Sequence, residues 1–293
     1  MKKEIASRAI NSAKFLTDKL LSKHDREHLY VNINKELAVT EEIDTKYGNI
    51  SFYCPDELPI WRAETFFTKE PETLEWIDSI ISNNDSEGEK TVFWDIGANV
   101  GCYSLYAGIG GLETYAFEPS AANYYILNKN ICDNKLDRQI AAYCIAFCQK
   151  SETAYLHMQG LDLGGALNSF SDNFMDEMKA EGYSELVKVG FRQGMIGFSI
   201  DEFIGYYGLK VPNHIKIDVD GLEKDILSGA KETLRDPRLK SVLVEIDEDD
   251  EEVSNAIITL MKDAGFSVKV RAHSEMIENS ERYNKVYNYI FSK

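Results

Sequence analysis

The sequence predicts an α/β protein with a doubly wound, Rossmann-like parallel sheet. From Lys90 onward, short apolar segments of strand length alternate with helical segments, and this alternation is typical of βαβ units with right-handed crossovers. A turn that contains two glycines directly follows the first of these strands, at the edge where open α/β sheets bind their ligands. The hydrophobic content of 44% is that of a globular protein with a real core.

The first helix is predicted near the N-terminus. From Ile5 to Leu20, apolar residues recur at steps of three and four, which is the stripe of an amphipathic helix. We expect this stripe to pack on the core or on a partner. Binding to a membrane surface is the less favoured interpretation, because Glu4 and Asp18 interrupt the basic face of the helix.

The rest of the first 88 residues is predicted to hold little regular structure. Up to about Pro59 we expect irregular chain with one short strand near 50–53. A helix is predicted from Pro71 to Ile81, because proline and neighbouring acids favour the first turn of a helix. The polar run 82–88 ends that helix and marks a boundary. The predicted domains are an N-terminal extension, 1–88, and a sheet domain, 89–293.

The sheet domain is predicted to contain seven strands and five helices. The strands are 92–96, 114–118, 141–147, 214–219, 241–246, 266–270 and 287–291, the last two forming a hairpin-like pair. The helices begin at Val100 and Ala121 and cover 199–206, 222–234 and 251–264. The alternation is lost in an insertion at 151–193. Its aromatic residues suit either a lid over a binding site or the core: Tyr155, Phe170, Phe174 and Tyr183.

Charge and cysteine content narrow the class of partners. The 32 Lys and Arg residues stand against 49 Asp and Glu, a net charge of −17. This charge repels phosphate backbones and anionic lipids, and so disfavours nucleic acid as a partner. No apolar run approaches the ~20 residues of a membrane span, and the charged N-terminus does not resemble a signal peptide. We expect a cytoplasmic protein whose five cysteines are reduced, buried thiols. The sequence leaves a homo-oligomer open.

The turn after the first strand combines an acid with small residues. Asp95 precedes Gly97 by two residues, and Gly101 follows four residues later. Glycines let the backbone approach a ligand closely, and the next helix aims its amides at that ligand. The spacing G-x-x-x-G differs from the G-x-G-x-x-G of dinucleotide sites, and Asp95 would repel a pyrophosphate but suits an ammonium group. Taken alone, the turn is equally a tight connection with a capping acid.

A second acid stands at the end of the second strand. Glu118 follows Gly97 by 21 residues, the spacing at which an acid in such folds accepts hydrogen bonds from the hydroxyls of a ribose. Together with the glycine turn, this acid indicates a nucleoside-type ligand at the carboxyl ends of the strands.

Five segments together resemble the FkbM family of class I S-adenosylmethionine-dependent methyltransferases. They are KEPETLEWID, VFWDIGANVGCYSLYA, YAFEPSAANYYILNKNI, HIKIDVDGLEKDILSGA and SVLVEI, which lie in this order over 69–246. The resemblance implies a sheet of strand order 3-2-1-4-5-7-6 and S-adenosylmethionine as the methyl donor. It also implies O-methylation of a saccharide or of a small natural-product hydroxyl.

The resemblance further implies roles for the residues around the turn. The methionine end of the donor would be lined by Asp95, Gly97, Ala98, Asn99 and Gly101. Glu118 would hold the ribose, and the turn behind it would be shaped by Pro119, Ser120 and Asn123. The adenine would lie near Ala146 and Phe147, at the end of the third strand, where no acid marks the pocket.

Polar side chains interrupt the predicted fourth strand. Alternation puts Lys216, Asp218 and Asp220 on one face of it. Charges inside a covered strand are costly unless they are paired or lie at its open end. A structural Lys216–Asp218 pair, or a helix cap at Asp218, is one interpretation. In the other, Asp218 is the base for the acceptor hydroxyl or orients it, and Lys216 stabilises the alkoxide or holds Asp218.

Other interpretations stay open. Glu245 ends the neighbouring strand, and with Asp218 it could hold a divalent cation. We favour this metal site less, because no histidine accompanies the two acids at ligand spacing. The βαβ pattern also fits a nicotinamide-dependent oxidoreductase, which Asp95 and the missing G-x-G-x-x-G disfavour, or a non-catalytic adenosyl-binding protein.

Overall fold

A computed structural model describes residues 2–84, 88–171, 189–273 and 284–293. The chain divides into two compact units, 1–40 and 41–293. Residues 41–88, which the sequence analysis placed in the N-terminal extension, belong to the second unit. The domain boundary at residue 88 stays a prediction.

The first unit is a pair of helices. Helix α1 spans Lys2–Leu20 and α2 spans Lys23–Glu36. Ser22 is the N-cap of α2, and its hydroxyl accepts the backbone N–H of Asp25, which satisfies one open amide of the first turn. The hydroxyls of Thr17 and Tyr30 lie 2.6 Å apart and join the two helices.

The rest of the described chain contains both strands and helices. The strands are β1 Val39–Thr45, β2 Gly48–Cys54, β3 Val92–Ile96, β4 Glu113–Phe117, β5 Ile140–Tyr143, β6 Ala146–Phe147, β7 Glu152–Met158, β8 Ser169–Ser171, β9 Phe191–Phe198, β10 His214–Ile217, β11 Ser241–Asp247, β12 Ser267–Ala272 and β13 Val286–Ser292. The helices are α3 Glu57–Glu64, α4 Pro71–Ser82, α5 Cys102–Ile109, α6 Ala121–Asp133, α7 Ile200–Tyr207, α8 Glu223–Ser228, α9 Lys231–Arg235 and α10 Glu251–Asp263.

Seven of these strands form the central sheet, in the order β12-β13-β11-β10-β3-β4-β5. The strands from β11 to β5 pair in parallel, and β13 runs antiparallel to both β11 and β12. Counted from β5, this is the predicted order 3-2-1-4-5-7-6, so the predicted Rossmann-like fold is confirmed. The order in which the chain adds strands to the sheet reverses between β3 and β10. The carboxyl ends of these two strands therefore border the crevice where such sheets bind ligands.

The side chains of β3 alternate between two cores, one on each face of the sheet. All five residues of β3 are buried, as expected for a parallel strand covered on both faces. Phe93 belongs to the core that Ile77 of α4 and Leu105 of α5 share. Trp94 belongs to the other core, with Phe203 of α7. The central strand is therefore held from both sides, and its carboxyl end has a fixed position.

The prediction of irregular chain before Pro59 is wrong. In addition to β2, this stretch holds α2, β1 and the start of α3. None of the residues of α2, which the structure describes throughout, is buried, so no apolar stripe in the sequence marks this helix. The strand predicted near 50–53 is confirmed as part of β2, whose Ile50, Phe52 and Cys54 are buried.

Two predicted elements are divided in the structure. The predicted strand 141–147 becomes β5 and β6, which belong to different sheets. The predicted helix 222–234 becomes α8 and α9, which are separated at Gly229. A Cβ atom on Gly229 would lie 2.5 Å from the carbonyl oxygen of Cys148, and the Gly229 carbonyl accepts the N–H of Asp201. Tertiary packing at this glycine, which no local pattern reveals, interrupts the helix.

The insertion predicted at 151–193 contributes most of a second, smaller sheet. Its strand order is β6-β9-β7-β8. Phe170 is buried between these strands, whereas Tyr155 is 44% exposed. Phe174 and Tyr183 lie outside the described residues. The role of the insertion as a lid therefore stays a prediction.

The five cysteines are free, and they differ in exposure. Cys54 and Cys148 are buried, but Cys132 on α6 is exposed, so the expectation of buried thiols is wrong for that residue. Within the described parts of the chain, no helix combines the length and the apolar character needed to cross a membrane.

Candidate active site

A tight glycine turn joins β3 to α5 at the crevice. Gly97, Asn99 and Gly101 have positive φ angles of 84°, 51° and 95°. The first two amides of the turn donate to the carbonyl oxygen of Phe117 at the end of β4. A Cβ atom on Gly97 would lie 1.9 Å from the carbonyl oxygen of Asp218. Glycine is required at this position, because the backbone after β10 lies directly against the turn.

Asp95 lies at the end of β3, before this turn, and is completely buried. Ser104 donates a hydrogen bond of 2.5 Å to its Oδ2, while its Oδ1 has no hydrogen-bond partner among the described residues. Burial raises the pKa of Asp95, against the attraction of Lys216, its register neighbour on β10. Neither Asp95 nor Glu118 is one of the described residues that line the cavities on either side of the turn.

Glu118, directly after β4, supports the turn from the other side and is 4% exposed. Its Oε2 accepts the backbone N–H of Asn99 and its Oε1 that of Ser120, both at 2.8 Å. Burial raises the pKa of Glu118 to about 7, although these N–H groups favour the charged form. The carboxyl group therefore changes its charge near neutral pH. Ser120 is also the N-cap of α6, through the N–H of Asn123.

Residues 160–168, which we call the crossing loop, connect to the predicted donor-binding residues. The carbonyl oxygen of Gly165 accepts a hydrogen bond of 2.9 Å from the side-chain amide of each of Asn99 and Asn123. Gly164 donates to Oδ1 of Asn123, and its carbonyl accepts from Nε of Arg62. These hydrogen bonds join parts of the chain that are far apart in sequence, and so no local pattern predicts them.

A cavity of about 400 Å³ opens at the carboxyl ends of β3 and β10, the usual place for a ligand in this kind of sheet. From the sheet side it is lined by Gly97, Ala98, Asn99, Lys216, Asp218, Asp220 and Glu245. From α3 and the chain up to α4 it is lined by Trp61, Arg62, Phe66, Lys69 and Glu70. The structure thus brings the predicted catalytic residues together with a segment that the sequence analysis assigned to the extension.

Charged side chains of the cavity form a single cluster. Nζ of Lys216 donates to Oδ2 of Asp218 over 2.9 Å. Glu70 accepts hydrogen bonds from Lys69 and from the Tyr103 hydroxyl. One oxygen from each of Glu70, Asp218 and Glu245 lies within 4.8 Å of the other two. Three acids and two lysines therefore share one site.

The lysines determine which of these acids is charged. Burial raises the pKa of Asp218, but Lys216 and Lys69 outweigh this effect and lower the pKa to about 2. Burial also raises the pKa of Glu245 well above its ordinary value, and the carboxylates of Asp218 and Glu70 raise it further, against Lys69. Asp218 is therefore a carboxylate at neutral pH, whereas Glu245 binds a proton much more readily.

The same three acids also have the donor atoms of a cation site, since carboxylate oxygens are the ligands that hard divalent cations prefer. However, Lys216 and Lys69 already place two positive charges against Asp218 and Glu70. A divalent cation here would add charge to a site that the lysines have largely neutralised. The metal site stays the less favoured interpretation.

A second, mostly apolar cavity of about 30 Å³ lies on the other side of Gly97. Its lining includes Pro119, Ala146, Phe147, Phe170 and Val219. This volume is far below that of a purine ring, so such a ring fits only if a lining side chain such as Phe170 moves. Gly97 lines both cavities, which makes the glycine turn the link between an apolar and a charged compartment.

Glu70 is the clearest site residue that the sequence analysis missed. It occupies the N-cap position of α4, but within the described chain its side chain makes no capping hydrogen bond. An acid at the start of a helix is usually explained by the helix dipole. Here the carboxylate contacts Tyr103 and Lys69 instead. The available signal was its place in KEPETLEWID, the first of the segments that carry the family resemblance.

The fold and the site define a class: a Rossmann-like α/β protein with a glycine turn and two acids at the carboxyl ends of its first two parallel strands. The family model of the methyltransferase FkbM domain matches residues 95–268, more than half of the chain. The protein belongs to this family, and the resemblance found in the sequence is confirmed.

Other known proteins are similar to parts of this chain. The AMB antimetabolite synthetase AmbE of Pseudomonas aeruginosa is 23% identical over 229 residues, which cover 66% of this chain and 10% of AmbE. The methyltransferase FkbM of Methylobacillus flagellatus KT is 14% identical with a TM-score of 0.44, over 70% of this chain and 44% of that one. A SAM-dependent methyltransferase of Agrobacterium tumefaciens is 12% identical with a TM-score of 0.41, and the match covers 87% of this chain and 69% of that one. Neither the acceptor nor any partner follows from these likenesses.

The close contact at Gly97 predicts the effect of Gly97→Ala on stability. Alanine at positive φ costs about 1–2 kcal/mol, and the clash with the Asp218 carbonyl adds about 1–3 kcal/mol. Gly111→Ala is the matched control, because Gly111 has a similar φ of 93° but nothing within 4 Å of the added Cβ. The free energies of unfolding are measured by chemical denaturation. Equal losses in the two variants would contradict the close approach.

Proposed function

We propose that this protein is an S-adenosylmethionine-dependent methyltransferase that acts on a hydroxyl of a saccharide or a small natural product. The observation that carries the proposal is the position of Gly97, which lines both an apolar cavity and a cavity rich in charged groups. A ligand with a nucleobase at one end and an amino acid at the other needs two such compartments, and the apolar one receives the purine once a lining side chain such as Phe170 moves. Membership of the methyltransferase FkbM family supports this donor.

The residues of the turn fit the chemistry of the donor. Oδ1 of Asn99 is a buried acceptor without a partner among the described residues, and such an acceptor suits an ammonium group. The carboxylate of Glu118 suits the ribose hydroxyls, and Pro119 and Ala146 suit the adenine. When bound there, S-adenosylmethionine supplies a methyl group that is activated by the neighbouring sulfonium charge.

We assign Asp218 to orienting the acceptor rather than to removing its proton. With a pKa of about 2 it is a weak base at neutral pH. As a permanent carboxylate it accepts a hydrogen bond from the acceptor hydroxyl and so aligns it for attack. Lys216 is 1% exposed, fixes Asp218 at 2.9 Å, and its ammonium favours negative charge on the reacting oxygen.

Glu245 is better suited than Asp218 to accept the proton. It lines the same cavity, and its carboxyl oxygen lies within 4.8 Å of an oxygen of Asp218, so both acids can reach one acceptor hydroxyl. Its raised pKa makes it the stronger base of the two. Asp218 and Glu245 thus divide the two tasks that the sequence analysis gave to Asp218 alone.

The walls of the larger cavity suit a polyhydroxylated acceptor. Trp61 and Phe66 provide aromatic faces, and Arg62 and Asp220 provide groups that bind hydroxyls. The net charge of −17 disfavours a nucleic-acid acceptor. These features support a saccharide or another small molecule with several hydroxyls.

Donor binding is expected to depend on the charge of Glu118. Because ribose hydroxyls donate to the charged form, the affinity for S-adenosylhomocysteine should rise with pH through about 7, roughly tenfold from about pH 6 to about pH 8. Glu118→Gln should weaken binding and remove this pH dependence. Glu113→Gln, at the opposite end of the same strand, should leave the affinity and its pH dependence unchanged. Calorimetry measures the affinities; an affinity that does not change with pH would contradict this role.

Methyl transfer is expected to depend on Glu245 as a base. Since only the deprotonated form accepts a proton, turnover should rise with pH through the pKa of Glu245. Burial raises this pKa most, Asp218, Glu70 and Glu223 raise it further, and Lys69 lowers it. Glu245→Gln should lower turnover by about 10²-fold or more and flatten this rise, while S-adenosylhomocysteine affinity stays within about threefold. Asp218→Asn should lower turnover without removing the rise.

Labelled methyl transfer from S-adenosylmethionine to a panel of saccharides and natural-product alcohols measures turnover. Glu252→Gln, an exposed acid at the start of α10, is the control and should behave like the unchanged protein. Full activity of Glu245→Gln would contradict its role as the base. Donor binding without transfer to any member of the panel would contradict the proposed acceptor class.

A further inference from the structure

Helix α1 exposes the apolar stripe that the sequence analysis expected to be packed. Ile5, Leu16 and Leu20 are 62%, 57% and 79% exposed. Ile10, which widens the stripe on one side, and Phe15, which lies beyond Arg8 and Lys19 on the other, are more than half exposed as well. Exposed apolar side chains that recur along one helix over more than four turns mark a surface that binds something.

The second helix of the unit leaves this stripe uncovered. Polar contacts join α1 and α2: the Thr17 and Tyr30 hydroxyls lie 2.6 Å apart, and Arg26 forms an ion pair of 2.5 Å with Asp18. Helix α2 also exposes apolar side chains of its own, Val31 at 52% and, just after the helix, Leu37 at 73%. The helix pair therefore has unpartnered apolar side chains on both helices.

Cations border the stripe on α1. At 3.6 residues per turn, Arg8 and Lys19 lie along one edge of the apolar arc and Lys14 along the other. Asp18, which interrupts the basic face of the helix in the sequence, is neutralised by Arg26. An apolar face with lysine and arginine at both edges is typical of a helix that lies in a membrane interface, where the long stems extend to the head groups.

The charge of the two units differs in sign. Residues 1–40 contain eight Lys and Arg against five Asp and Glu, a net charge of +3, whereas the rest of the chain carries −20. The net charge of −17 for the whole chain therefore hides a positive N-terminal unit. Two copies that met through this stripe would bring cations against cations, so the charge pattern favours a negatively charged occupant over a second copy.

We infer that the N-terminal helix pair, residues 1–40, binds the surface of an anionic lipid membrane. The apolar stripe of α1 enters the head-group boundary, and Arg8, Lys14 and Lys19 contact the lipid phosphates. The negative second unit opposes this attraction, but salt screens charges beyond about 8 Å at physiological ionic strength. The binding is peripheral and reversible, and it weakens at high salt.

Flotation of the full-length protein with lipid vesicles tests this inference. Vesicles of phosphatidylcholine and phosphatidylglycerol should bind the protein at least tenfold more tightly than vesicles of phosphatidylcholine alone, and 1 M salt should release it. The double substitution Leu16→Glu with Leu20→Glu should abolish binding, because it puts two charges into the apolar stripe. Replacing Arg8, Lys14 and Lys19 by glutamine should remove the preference for anionic vesicles but leave α1 helical by circular dichroism.

Ile196→Glu is the matched control, because Ile196 on β9 is 54% exposed and the change adds the same kind of charge outside the helix pair. It should bind vesicles like the unchanged protein. Equal binding of Ile196→Glu and the double variant, or no preference for anionic lipid, would overturn the inference. So would light scattering that shows a dimer in solution which the double variant dissociates, because the stripe would then be covered by a second copy.

Discussion

The close contact between the glycine turn and the backbone after β10 is the constraint on which the site depends. The absence of a side chain at Gly97 lets the Asp218 carbonyl come within 1.9 Å of the place where a Cβ would lie. This contact fixes the carboxyl ends of β3 and β10 against each other. It also puts Gly97 between the apolar and the charged cavities, and it brings Lys216 and Asp218 beside the turn.

The charged side chains that are buried beside this contact must also compensate one another. Lys216 is almost fully buried, and burial alone would lower its pKa, but the carboxylates of Asp218, Asp95 and Glu70 outweigh this effect and keep the ammonium charged. The same lysine keeps Asp218 ionised. Because Lys216 and Lys69 are paired with Asp218 and Glu70, Glu245 is the acid of this cluster that binds a proton most readily. The difference in acidity between Asp218 and Glu245 therefore follows from where the lysines lie.

The local residue pattern predicted most of the sheet, but it could not predict contacts between segments that are distant in sequence. Apolar runs marked β3, β10 and β11, and the family resemblance supplied the strand order. In contrast, Glu70 reaches the site from a segment that reads as the start of a helix. The polar helix α2 has no buried residue among those described, and so the sequence gives no apolar period to detect. The hydrogen bonds from Asn99 and Asn123 to Gly165 join residues 66 and 42 positions apart, which no local pattern specifies.

The crossing loop assigns different tasks to the two asparagines. Asn123 uses both ends of its amide on the loop, since Nδ2 donates to the Gly165 carbonyl and Oδ1 accepts from Gly164. Asn99 uses only Nδ2 for this purpose, and its buried Oδ1 has no partner among the described residues. A buried acceptor that is left unpaired costs stability, and a ligand that donates a hydrogen bond removes that cost. Asn123 thus holds the loop, whereas Asn99 can hold the loop and a ligand at the same time. The loop therefore forms part of the wall of the site and does not compete with a ligand for Oδ1 of Asn99.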